Sequence, residues 1–70
     1  MVAHWKKINK DTWKSMLTHK TVNIERYSED EVFVSVRNMY GTEVTATHGL
    51  KSRARAVQKA MKYMRDHPNG

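Results

Sequence analysis

The 70-residue chain has no cysteine, one proline, three glycines and one phenylalanine. Without cysteine there is no disulfide scaffold, no thiolate metal site and no cysteine nucleophile. No apolar run approaches the roughly 18 residues of a membrane span, and Met1 leads straight into polar residues rather than into a secretory signal, so cytoplasmic residence is expected. A chain this short buries only about 60% of the surface its unfolded form exposes. That leaves room for a thin core and hardly for a deep enzyme cleft. Acids are scarce as well: seven Asp and Glu stand against 13 Lys and Arg, for a net charge of +6.

The surplus is unevenly placed. Residues 1–20 hold Lys6, Lys7, Lys10, Lys14 and Lys20 against Asp11 alone. Residues 21–50 hold Arg26 and Arg37 against Glu25, Glu29, Asp30, Glu31 and Glu43. Residues 51–70 hold Lys51, Arg53, Arg55, Lys59, Lys62 and Arg65 against Asp66. The chain is basic at both ends and acidic in the middle.

Residues 1–10 show no clean period and read as an N-terminal arm, tethered through Trp5. Residues 11–70 read as one domain. Asn9 or Asp11 is placed to cap a helix, and Trp13, Met16 and Leu17 fall at i, i+3 and i+4, which predicts a short helix over about 11–19. Thr21 to Tyr27 alternates and predicts a strand. The polar turn Ser28 to Glu31 follows. Val32, Val34 and Val36 then mark the clearest strand in the chain. Asn38-Met39-Tyr40-Gly41 is a second hairpin loop. Thr42 to Thr47 is a third strand, with Val44 and Ala46 on one face, and Gly49 ends it. Ser52 caps a helix over about 52–67 that Pro68 stops. The expected fold is α+β: a short N-terminal helix, a three-stranded antiparallel meander, and a long C-terminal helix whose Val57, Met61 and Met64 cover one sheet face (αβββα). The uncovered face is expected to carry Asn23, Glu25, Phe33, Ser35, Arg37, Glu43, Thr45 and Thr47.

Catalysis finds little support. Glu29, Asp30 and Glu31 share a wet hairpin tip, where paired carboxylates cannot separate their pKa values, and no Ser or Thr has a His and an orienting acid at a recognisable spacing. The expectation is a protein that is not an enzyme and that needs no cofactor. His4, His19, His48 and His67 include no pair at i, i+3 or i+4, so no metal site is expected. Phosphate binding has more behind it. Lys51, Arg53 and Arg55 crowd the start of the last helix, where cations oppose the helix dipole and an anion would relieve them. Lys59 and Lys62 continue that basic face, and Lys6, Lys7, Lys10 and Lys14 add to it from the N-terminal region. Phe33, on the uncovered face beside Arg37, is set either to stack on a base or to be covered by the arm through Trp5.

The order helix–strand–strand–strand–helix resembles the double-stranded-RNA-binding domain, with Lys51-Ser52-Arg53-Ala54-Arg55 in the place of that family's basic motif at the start of its last helix. The sequence departs from the family at the acidic tip Ser28 to Glu31 and lacks its Gly-Pro and His elements. Residues 22–64 resemble the arm-type DNA-binding domain of tyrosine recombinases, a three-stranded sheet plus helix, through Gly49-Leu50-Lys51-Ser52-Arg53-Ala54-Arg55-Ala56. Leu50, Ser52 and Ala56 match its strand-to-helix turn. That family lays its open sheet face in the major groove. Here the expected face sets Glu25 and Glu43 against Arg37.

These readings converge on a small basic nucleic-acid-binding module, for DNA or RNA, that contacts phosphates through its helices with low sequence specificity. Its contacts would be Lys51, Arg53, Arg55, Lys59 and Lys62, with Lys6, Lys7, Lys10 and Lys14. The alternative is a phage or mobile-element protein-binding module that docks on a larger protein through Phe33, Arg37, Tyr27 and Tyr40 or through an open sheet edge. A homodimer through the uncovered face is a third option. No membrane partner is expected.

Overall fold

A computed structural model describes residues 4–70. Five strands precede one helix: β1 (Trp5–Asn9), β2 (Thr12–Ser15), β3 (Thr21–Ser28), β4 (Glu31–Arg37), β5 (Glu43–Leu50) and α1 (Arg53–Asp66). The strands lie side by side in chain order, each antiparallel to the next. This corrects the αβββα expectation. Residues 11–19 form no helix, and Trp5–Asn9 of the expected arm is an edge strand; residues 1–3 of that arm lie outside the described residues.

The physical reason lies in Trp13. It is buried together with Ser15, and the two alternate with the half-buried Thr12 and Lys14, which is period two. Met16 and Leu17, the other members of the supposed helical face, sit in the following turn and are 51% and 54% exposed. One apolar turn cannot offset the cost of nucleating an isolated short helix. As a strand, the same residues pair their backbone with β3, Trp13 opposite Val22 and Lys14 opposite Thr21. Asn9, one of the two residues expected to cap a helix, closes a turn instead. The Asn9 side chain accepts from the Asp11 N–H at 2.9 Å. The buried Ser15 hydroxyl accepts from the Leu17 and Thr18 N–H groups at 3.3 and 3.2 Å.

β1 has one buried side chain, Trp5. Its indole Nε1–H donates to the His67 carbonyl at 2.8 Å, and its ring meets Tyr63 edge-on at 6.3 Å. Trp5 therefore lies on the α1 side and does not cover Phe33. Phe33 is stacked instead on His48, centroids 4.8 Å apart.

α1 packs on the sheet through Ala56, Ala60 and Met64, with Val57, Met61 and Tyr63 flanking. Ala54, at the start of the helix, is exposed. The two alanines let the helix approach β3 and β4 closely, over Val22, Ile24, Val32, Val34 and Val36. Burial of each such valine is worth about 1.5–3 kcal/mol. Ser52 caps the helix as expected, its hydroxyl accepting from the Arg55 N–H at 3.3 Å.

β5 differs from its expected face assignment. Ser35 pairs with Ala46, and Val36 with Thr45. Opposed residues of antiparallel strands point to the same side, so Thr45 and Thr47 share the helix side with Val34 and Val36, while Ala46 is on the open side. Val44 lies in a register shift and is 49% exposed. Gly49 does not end the strand. Its φ of +78° carries the chain through a second shift that sets Leu50 opposite Val32 and buries it.

Candidate nucleic-acid interface

The sheet has two sides, and the expected contact residues divide between them. On the α1 side, the helix turns Arg55, Lys59 and Lys62 outward at spacings of four and three residues, one exposed stripe. Fourteen helical residues span about 21 Å. Arg65 lies beside the stripe, and Lys51 precedes it. The first turn of α1 carries no acid. Asp66, the one carboxylate of the helix, is bound to Lys62 at 2.8 Å. That bond, ahead of the general attraction of nearby cations, holds the Asp66 carboxyl below the usual carboxylate range.

Arg53 plays a different part. Its Nε donates to Asp11 Oδ1 at 2.9 Å and its Nη2 to the Lys10 carbonyl, so it straps the β1–β2 turn to the start of α1. The strap borders a shallow cleft of about 170 Å³ lined by Lys10, Asp11, Arg26 and Arg53 over Ile24 and Val32. Lys10 therefore joins the helix group, and so does Arg26, which sequence reasoning passed over. Its signal was available: Arg26 continues the Val22–Ile24 alternation and pairs with Val32. Lys7 is also on this side, its ammonium 5.6 Å from the centre of the Trp13 ring.

Lys6 and Lys14 face the other way. They pair across β1 and β2, in alternation with the buried Trp5, Trp13 and Ser15. The open side carries them with Thr12, Thr21, Asn23, Glu25, Phe33, Ser35 and Arg37, and β5 adds Glu43 opposite Arg37, Ala46 and His48. Two further residues expected to engage a protein partner stand apart. Tyr27 is 73% exposed near the β3–β4 turn, and Tyr40 is 82% exposed in the loop at the opposite end of the strands.

No helix among the described residues is long and apolar enough to cross a membrane. Comparison with protein-family models, curated proteins and solved structures finds no match.

Proposed function

We propose that this chain is a small nucleic-acid-binding module that engages backbone phosphates through the outer face of α1. The observation that carries this reading is the composition of the helix start. Ser52 is the N-cap, and position N3, where Glu would complete a capping box, holds Arg55. A helix selected for stability alone would carry acid there. Arg55, Lys59 and Lys62 instead form a straight basic ridge that a row of phosphates can follow, with Lys51, Arg65, Lys10 and Arg26 flanking it. Arg53 contributes mainly as the strap to Asp11.

The test is a titration of duplex DNA, duplex RNA and single strands over a range of salt. Phosphate contact by four or so cations predicts log K falling against log salt with a slope of about −3 to −4. A flat salt response would remove the proposal. Asp66→Asn provides a second check. It releases Lys62 and deletes the one acid of the ridge, so the slope should steepen by up to about one unit and affinity should rise severalfold. Acid should act in the same direction. The folded Asp66 pKa is depressed, so its ion pair persists above the ordinary carboxylate range and is lost only as pH falls through that lowered value. Binding should therefore not tighten until below the usual Asp titration.

A second reading, docking on a larger protein, draws on Met16, Leu17, Met39 and Tyr40, all more than half exposed in the two loops at one end of the sheet. One stoichiometric protein partner that survives nuclease treatment would select it.

A further inference from the structure

We infer that the open sheet face is a second and separate contact surface, and that its ligand is single-stranded nucleic acid. Lys6 and Lys14 lie directly opposite each other on β1 and β2. Like charges at opposed positions destabilise a sheet. Neither lysine has an ion-pair partner among the described residues. The same row continues through Thr21 to Arg37, opposed in turn on β3 and β4. Three strand intervals of about 4.8 Å make this a track of about 14 Å running across the strands.

The neighbouring rows change character in an ordered way. The next holds Thr12, Asn23 and Ser35, with the Thr12 hydroxyl donating to Asn23 Oδ1 at 2.6 Å and Ser35 donating to Glu25 Oε2 at 3.5 Å. The one after holds Glu25 and Phe33, with His48 stacked on the Phe33 ring. Each step between rows is two residues, about 6.7 Å. Ser35 is itself buried, so phosphates on the lysine track would direct bases across Thr12 and Asn23 toward an aromatic pair whose exposed member, His48, can extend the stack.

The charge layout selects the strand form. Lys6, Lys14 and Arg37 occupy one end of the strands, where Glu43 of β5 lies opposite Arg37 and leaves the two lysines as the unopposed cations, while Glu25 and, two residues before Phe33, Glu31 occupy the other. A duplex groove is walled by phosphates on both sides and would bring the second wall against these carboxylates. A single strand brings one row of phosphates and meets the carboxylates with bases, to which adenine can donate its exocyclic amine and thymine its N3–H.

This surface lies on the side away from α1, so it can fail without the helix reading failing, and the reverse. The experiment compares oligothymidine, oligoadenine and a mixed-sequence duplex as probes, at about 0.1 M salt, for wild type and two variants. Lys6→Glu with Lys14→Glu is expected to weaken oligothymidine binding by tenfold or more, and duplex binding by less than about threefold. Phe33→Leu keeps an apolar side chain of similar bulk and removes the ring, and should weaken single-strand binding by about tenfold. Thermal unfolding of each variant confirms that it is folded, and His48→Ala replaces Phe33→Leu if the latter is not. Three outcomes overturn the inference: no binding of either single strand by the wild type, unchanged single-strand binding by the double variant, or equal loss for single strand and duplex.

Discussion

Trp5→Ala should remove about 3–5 kcal/mol of stability. At about 0.05–0.15 kcal/mol per residue, a domain of this size has only about 3.5–10 kcal/mol to lose. The cost has three parts. The indole is the one buried side chain of β1 and is 5% exposed. Its removal leaves a void beside Tyr63 and takes from the His67 carbonyl one of its two donors, the Gly70 N–H at 2.9 Å remaining. It also unties β1 from the end of α1, 62 residues away in sequence. Urea unfolding measures the loss. Amide exchange in a partly populated native state should show protection lost first in β1 and β2. Trp5→Phe should recover most of the packing and leave only the loss of one hydrogen bond, a cost of about 0.5–1.5 kcal/mol. An unchanged midpoint for Trp5→Ala would mean that β1 is not docked as described.

Arg55→Glu together with Lys59→Glu should lower duplex affinity about a hundredfold at about 0.1 M salt and flatten the salt slope by about two units. The same change should not harm the fold. Glu at position 55 would complete the capping box with Ser52 and sit favourably at the positive end of the helix dipole, adding about 0.5 kcal/mol. Stability and binding should therefore move in opposite directions. That pattern separates a contact residue from a merely structural one, because loss of binding through unfolding would lower both. Duplex affinity unchanged in this variant would remove α1 from the interface.

The central strands and the last helix were legible because their signals are local. Val32, Val34 and Val36 alternate at every second position, and Ser52 and Pro68 punctuate the helix on either side of Arg53–Asp66. The N-terminal region was not legible, because Trp13, Met16 and Leu17 fit a helical face and Trp13 and Ser15 fit a strand equally well. A four-residue strand has no stability of its own, and only the β3 edge, offering paired backbone groups opposite Trp13, decides between the two.

The candidate site divides along the same line. The basic ridge Arg55, Lys59 and Lys62 follows from helical spacing alone and needed no structure. The placement of Arg53 against Asp11, of Arg26 and Lys10 at one cleft, and of Lys6 and Lys14 on the far side depends on which strand neighbours which. That information spans 42 residues for the Arg53–Asp11 contact and is written in no local period.

Composition and local pattern alone determine that this protein is small, Cys-free and basic at both ends, with a valine-rich meander capped by a cationic helix. Tertiary structure decided that Trp5–Asn9 and Thr12–Ser15 extend the sheet, and that β5 turns Ala46 rather than Thr45 to the open side. The first of these changes gives the open face a lysine track that the sequence reading had denied it. The reason is physical: a strand's side chains take their faces from the register with its neighbours, and a single register shift, as at Val44 or Gly49, redirects everything beyond it.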